Sequence, residues 1–176
     1  MSEFVSDLKT IRERARAHME QGAVTQNYKA DINKVLKVLN EVLATEIVCT
    51  LRYRRHYHTA AGLNSEGAKA EFLQHANEEQ QHADWVATRI TQLNGEPNFN
   101  PEGLSSRSHS EYAEGKDLVS MIKEDLYAER IAIESYSEIV RWLGSDDPTT
   151  RKLIEDILKV EEDHADDMKT LLEKMS

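Results

Sequence analysis

Apolar positions along the chain recur at three- and four-residue intervals in four long stretches, the period of a helix with one buried face. The first runs from about Asp31 to Ala61, with Asp31 as its cap and Gly62 as its stop. The second runs from about Ser65 to Leu93 and is followed by Gly95 and Pro97. The third, from about Lys116 to Leu143, ends at Gly144. The fourth starts at Asp147-Pro148, a cap followed by proline at the first helical position, and continues to the end of the chain. Only a few residues join the first to the second and the third to the fourth, which predicts two antiparallel hairpins. Between the hairpins, about Asn94 to Gly115 is rich in Asn, Pro, Gly and Ser and carries no strand signal. Helices of this length reach roughly 45 Å at 1.5 Å per residue, and the connection is long enough to cross that height. The predicted fold is therefore all-α: a four-helix bundle of two hairpins and one long crossover over residues 31–176. Ahead of it, Phe4, Leu8, Ile11, Ala15 and Met19 share one helical face, which predicts a short amphipathic helix and a linker over residues 1–30.

Charged residues interrupt all four apolar stripes, and they do so in a repeated pattern. Glu46 is followed 33 residues later by Glu79-x-x-His82; Glu129 is followed 32 residues later by Glu161-x-x-His164. Glu-x-x-His places both side chains on one helix face, less than a turn apart. The stripes read Leu39, Val42, Leu43, Glu46, Thr50, Tyr53; then Phe72, Ala76, Glu79, His82, Val86, Ile90. The third and fourth read Leu118, Ile122, Asp125, Glu129, Ala132, Tyr136; then Ile154, Ile157, Leu158, Glu161, His164, Met168. Each Glu also falls near its helix midpoint, and in antiparallel hairpins the midpoints meet at one height. Four buried carboxylates without countercharge would be very costly. Two divalent ions balance four carboxylates and two neutral imidazoles. That mixed ligand set suits iron or manganese, and ligand type alone admits zinc. The bland alternative, a solvated surface pair, fits one such motif but not two matched ones on core stripes.

Other residues carry weaker signals. Tyr53 lies two turns beyond Glu46 on the same face and is placed to bond a ligand or pass an electron; an ordinary core tyrosine is the alternative. Asp125, one turn before Glu129, is placed to bond a ligand histidine, or else to reach solvent at the bundle edge. His75, two turns before His82, either lines an ion route or is structural. Cys49 has no evident histidine partner and reads as a small packed residue. Lys9, Arg12, Arg14 and Arg16 make the N-terminal helix basic, which reads first as a solvated face and second as a contact to DNA or a neighbouring subunit.

Composition narrows the class. With 31 % charged residues, a net charge of −10 and no apolar run of membrane-spanning length, a membrane role is not expected. The acidic balance suits a protein that handles cations better than one whose body binds nucleic acid. A single cysteine excludes an intrachain disulfide, and no secretory signal is visible, so the expected location is the cytoplasm.

The segments Leu43–Tyr53 (LATEIVCTLRY), Glu79–Asp84 (EQQHAD), Asp125–Glu129 (DLYAE) and Ile157–His164 (ILKVEEDH) resemble bacterioferritin, in order and over about residues 32–172. The resemblance implies a ferritin-like bundle that oxidises Fe2+ with O2 or H2O2 at two iron ions per subunit and stores Fe3+ in a homo-oligomeric shell. It implies Glu46 and Glu161 as terminal or chelating carboxylates flanking opposite irons and Glu79 and Glu129 in the other two carboxylate positions, with bridging assigned by family analogy to Glu79 and Glu161, and one nitrogen each from His82 and His164. Tyr53 matches the tyrosine beside that centre. Acidic residues of the last helix, among them Asp156, Glu162, Asp163 and Asp166, are candidates for nucleating stored iron. The chain departs from the pattern in three ways. Gln80 stands where bacterioferritins carry the haem-ligating methionine, so haem is not expected. A fifth helix is missing from the end, and about thirty residues are added at the front. Those two departures resemble the related Dps-like proteins and imply a 12-mer rather than a 24-mer. Two rivals share features: a di-iron oxygenase or peroxidase acting on an organic substrate, and a Dps-like protein that protects DNA.

Overall fold

The computed structural model describes residues 7–62 and 65–175. Phe4, the first residue of the predicted N-terminal stripe, lies outside them. Six α-helices follow in chain order: α1 (Leu8–Arg16), α2 (Ile32–Thr59), α3 (Ser65–Gln92), α4 (Leu104–Arg107), α5 (Leu118–Leu143) and α6 (Pro148–Lys174). The described residues contain no strand. The four long helices match the predicted segments to within two residues at nearly every end. The short α4 is an addition inside the crossover, where the sequence shows no helical period.

Local chemistry fixes the helix starts. Asp31 accepts from the backbone of Asn33 and Lys34, and Asp117 forms a capping box with Ser120. Asp147 accepts from the Thr150 backbone at 2.9 Å, with Pro148 just inside α6. This cap is also a tie-point. The Asp147 carboxylate takes the Tyr28 hydroxyl at 2.8 Å and the Arg89 guanidinium at 2.9 Å, joining the linker, α3 and α6. Its pKa is held down: burial works upward, but the bonds from Thr150, Tyr28 and Arg89 outweigh it.

Side-chain pairs set the helix directions. Arg89 Nε meets Thr150 at 2.8 Å, and at the other end His75 meets Asp167 at 3.3 Å, so α3 and α6 are antiparallel. Tyr53 of α2 bonds Glu129 of α5, while Tyr136 of α5 bonds Glu46 of α2, so these two are antiparallel as well. The bundle thus has an approximate two-fold axis across its waist that exchanges α2 with α5 and α3 with α6.

The crossover runs along the outer side of α2. Asn40 holds the Asn98 backbone at 2.7 Å, Thr45 the His109 backbone at 2.9 Å, and Arg52 the Glu111 carbonyl at 3.1 Å. It turns onto α5 at Gly115, where φ is +63° and an added Cβ would lie 2.8 Å from the Met121 nitrogen. Only glycine fits there.

The apolar core is divided in two. One cluster holds Val35, Leu39, Val42, Val86, Ile90, Ile139 and Ile154; the other holds Phe72, Ala76, Met121, Ile122 and Met168. A buried polar layer lies between them. The basic N-terminal helix is outside this core: no residue of α1 is buried, and Leu8 and Ile11 are 58 % and 47 % exposed. Of the two surfaces that could cover this stripe, its own bundle or a neighbour, the described bundle does not cover Leu8 and Ile11.

Candidate metal centre

Six side chains make up the polar layer, and each is 0–2 % exposed: Glu46, Glu79, His82, Glu129, Glu161 and His164. They come from the midpoints of four helices, as the spacing predicts. Glu46 rides on α2, Glu79 and His82 on α3, Glu129 on α5, and Glu161 and His164 on α6.

The geometry divides into two halves with shared members. His82 Nδ1 lies 3.1 Å from Glu46 Oε2, 3.1 Å from Glu161 Oε1 and 3.8 Å from Glu79 Oε2. His164 Nδ1 lies 3.4 Å from Glu79 Oε1, 3.3 Å from Glu161 Oε2 and 4.0 Å from Glu129 Oε2. Glu79 and Glu161 therefore turn one oxygen toward each histidine, while Glu46 and Glu129 each face only one. Glu161 reaches toward both histidines from α6, and Glu129 faces His164 alone.

Tyrosines hold the two outer carboxylates. Tyr53 donates to Glu129 Oε1 at 2.5 Å, and Tyr136 donates to Glu46 Oε1 across the same layer. Each tyrosine lies seven residues beyond the glutamate of its own helix. Tyr53 was legible beside the site, and the same seven-residue step from Glu129 was the signal for Tyr136. With one oxygen bonded to tyrosine, each outer carboxylate presents its other oxygen inward. Glu78 Oε2 lies 2.8 Å from His164 Nε2 and so leaves Nδ1 as the inward nitrogen.

Asp125 does not bond a candidate ligand histidine. Its carboxylate takes Arg52 Nε at 2.8 Å and His56 Nδ1 at 2.8 Å, all three groups wholly buried. Arg52 passes on to Ser110 of the crossover at 3.1 Å, and His56 Nε2 to the Glu114 carbonyl at 3.0 Å. The group clamps α2, α5 and the crossover beside Tyr53, whose ring lies 5.7 Å from the Arg52 guanidinium. Cys49 is buried at 2 % exposure with its sulfur 3.5 Å from Arg52. Burial pushes its thiol pKa well up, which suits packing and not nucleophilic attack.

Electrostatics report the missing countercharge. Burial, then the charges of Glu79 and Glu161, push the carboxyls of Glu46 and Glu129 well above their usual range. Glu79 goes the other way: burial opposes ionisation, but the imidazoles of His164 and His82 beside it hold it well down. For His164 burial works downward, yet the adjacent carboxylates of Glu161 and Glu79 carry the pKa up to about 12. His82 moves upward for the same reasons.

The donor set fits two ions. Glu79 Oε1, Glu129 Oε2, both Glu161 oxygens and His164 Nδ1 are buried with no hydrogen-bond partner. Orphaned buried polar atoms are rare in native structures, and all of these face the middle of the layer. Glu46, Glu79, His82 and Glu161 fall within ligating distance of one another, as do Glu79, Glu129, Glu161 and His164.

The family model for a ferritin-like domain matches residues 36–176. The chain belongs to the ferritin-like family. A bacterioferritin of Brucella melitensis is 31% identical over 150 residues, spanning 81% of this chain and 85% of that one. The DNA protection during starvation protein of Pyrococcus furiosus is 31% identical over 138 residues, 76% of this chain and 74% of its own. Among solved structures, the bacterioferritin-related protein from Bacteroides fragilis, described as a dodecameric thioferritin, is 30% identical. It superposes with a TM-score of 0.80 over 84% of this chain and 89% of its own. Among the described residues, no helix is long and apolar enough to cross a membrane.

Proposed function

We propose that this ferritin-like protein is a ferroxidase that oxidises Fe2+ with O2 or H2O2 at a dinuclear centre inside each subunit and stores the product. The observation that carries the reading is the split presentation of Glu79 and Glu161, one oxygen toward each histidine. Glu79 and Glu161 would be the carboxylates common to two metals, and two ions side by side can share one oxidant. Glu46 with His82 completes one half, and Glu129 with His164 the other. Four carboxylates stabilise Fe3+ over Fe2+, since each added positive charge is worth more in a buried site of low dielectric. Tyr53 and Tyr136 orient the outer carboxylates, and Tyr53 also lies 3.3 Å from His75 Nδ1. Manganese and zinc suit the same donors and are expected as inhibitors or substitutes. Gln80 lies exposed on α3, bonded to Asp84 at 3.2 Å, and offers no thioether to a haem.

Storage needs a closed assembly. The relative from Bacteroides fragilis is described as dodecameric, and the exposed stripe of α1 supplies apolar surface for a neighbour, so twelve subunits are the expected number and twenty-four the alternative. Aerobic Fe2+ addition followed by native mass and iron content tests both parts together. A dodecamer that retains many more irons than two per subunit supports storage. Retention of only two per subunit would favour the rival reading, a di-iron oxygenase or peroxidase acting on an organic substrate.

A further inference from the structure

Helix α1 carries its apolar and basic positions on adjoining faces. The helical period puts Leu8, Ile11 and Ala15 in one stripe, borders it along one edge with Lys9, Arg12 and Arg16, and turns Glu13 to the far side. All of these residues are exposed. Among the described residues, Lys9, Arg12 and Arg16 have no ion-pair partner. The helix is held to its own chain by another face: Arg14 Nη1 donates to Asn27 at 3.2 Å. Asn94, just past α3, donates to the Gln21 carbonyl at 3.0 Å, and Tyr28 bonds Asp147 at the start of α6. These ties keep α1 beside the end of α3 and the start of α6.

A surface of the opposite character lies on the other side of the bundle, between α2 and the outer face of α5. Val38 of α2 faces Ile139 and Trp142 of α5 across a groove, which continues along α5 over Ile131 to Tyr127. Trp142 and Tyr127 are 49% and 57% exposed. Three carboxylates, Glu41, Glu134 and Glu138, line this groove against one guanidinium, that of Arg130. Among the described residues, Glu134 and Glu138 have no ion-pair partner. Contiguous exposed apolar surface rimmed by polar residues marks an interaction site. From Tyr127 to Trp142 the groove offers roughly 22 Å of helix at 1.5 Å per residue, and α1 needs about 13 Å.

We propose that α1 of a second copy of this chain lies in the α5 groove, its apolar stripe on Tyr127, Ile131 and Trp142, and Arg12 and Arg16 against Glu134 and Glu138. Charge selects the occupant, since a basic helix meets an acidic groove and each side leaves its charges unpaired in the single chain. Spacing agrees: Arg12 and Arg16 stand four residues apart, as do Glu134 and Glu138, so both pairs rise by about one helical turn. The chain's own α1 is tethered on the α3–α6 side, away from its own groove, which makes the occupant another copy. The contact covers at once the stripe of α1 and the aromatic rings of α5. The inference rests on the reading that copies of this chain assemble, and not on the iron chemistry.

Two single variants of the full chain, Ala15→Cys and Ser135→Cys, are co-expressed, and the assembled protein is treated with a flexible bismaleimide. Ser135 bonds only carbonyls of its own helix, Ala15 is exposed, and the native Cys49 is buried, so the reagent reads the two introduced thiols. Neither chain carries both, so a link from position 15 to position 135 joins two chains. The expected product runs at twice the 20.1 kDa chain mass, with that link identified by peptide mass spectrometry. Glu134→Lys with Glu138→Lys on the Ser135→Cys chain should cut its yield by at least about tenfold, since facing like charges repel. Arg12→Glu with Arg16→Glu on the other chain should restore it. An assembled protein without the interchain link overturns the docking and spares assembly, whereas a monomeric native mass overturns both. An internal link in the double variant Ala15→Cys, Ser135→Cys, with none between chains, would return α1 to its own groove. Retardation of DNA by an unlinked assembly would give the basic edge to nucleic acid. Either result overturns the proposal, and a yield indifferent to both charge changes overturns the ion pairing.

Discussion

Glu129→Ala and His164→Ala are each expected to abolish rapid Fe2+ oxidation while leaving an assembled helical protein. Neither residue is shared between the two halves, so each deletion strips one half of its own donor. Loss of an oxidation rate by at least about a hundredfold is expected, since even supporting residues around metal ligands cost 10- to 100-fold when removed. Stopped-flow oxidation at two Fe2+ per subunit measures this, and a near-normal rate in both variants would sink the assignment. The milder Glu129→Gln keeps the acceptor for Tyr53 and removes only the charge. Its effect on the metal-free protein has a definite sign. Burial first, then Glu79 and Glu161, raise the folded pKa of Glu129 above its ordinary 4.5. A raised carboxyl binds its proton more tightly when folded, so Glu129 lowers stability progressively as pH rises above the unfolded value. The glutamine variant should match the unaltered protein near pH 4 and exceed it at neutral pH and above. Thermal melting of the chelator-treated proteins across that range reads the difference.

Loading the centre should release protons, about two to four per subunit at neutral pH. His82 and His164 are shifted toward their charged forms in the metal-free site by the surrounding carboxylates. Glu46 and Glu129 are shifted toward their neutral forms by burial and by Glu79 and Glu161. The protons that these four groups favour are the ones two divalent ions would displace. Every ligand must be bare to bind, so metal and proton compete. Affinity therefore falls as pH falls, steeply below neutrality. Calorimetry of Zn2+ binding in buffers of different ionisation enthalpy counts the protons. Release of fewer than one would show that the site exists already deprotonated, with some other countercharge.

The two predictions draw on parts of the chain that differed in how legible they were. Four helices and the six central side chains followed from periodicity, because burial within a helix leaves a mark every three or four residues. Glu46 and Glu129 stood out as charges on apolar stripes. Tyr136 sat on the same stripe, hidden only by its resemblance to an ordinary core residue; the repeat that relates it to Tyr53 is what distinguishes it. Arg52 and His56 left no such mark. They lie beside the stripe of α2, and what buries them is the crossover, which contributes Ser110, Glu111 and Glu114 from far along the chain. The path of that crossover depends on scattered polar hooks such as Asn40 and Thr45, which carry no period. The sequence therefore leaves Asp125 between a ligand histidine and the solvent edge, whereas in the structure it is buried against Arg52 and His56. The stripe of α1 was equally legible as a pattern, yet a pattern does not say which surface covers it.

Anomalous diffraction from crystals soaked in Mn2+ or anaerobic Fe2+ tests the central claim most directly. The account predicts two peaks in the middle of the bundle, about 3.5–4 Å apart as in two-metal sites generally. One should lie beside His82 and Glu46, the other beside His164 and Glu129, with Glu79 and Glu161 reaching both. A single central peak, or density confined to the exposed acids of α6 with the buried layer empty, would contradict it.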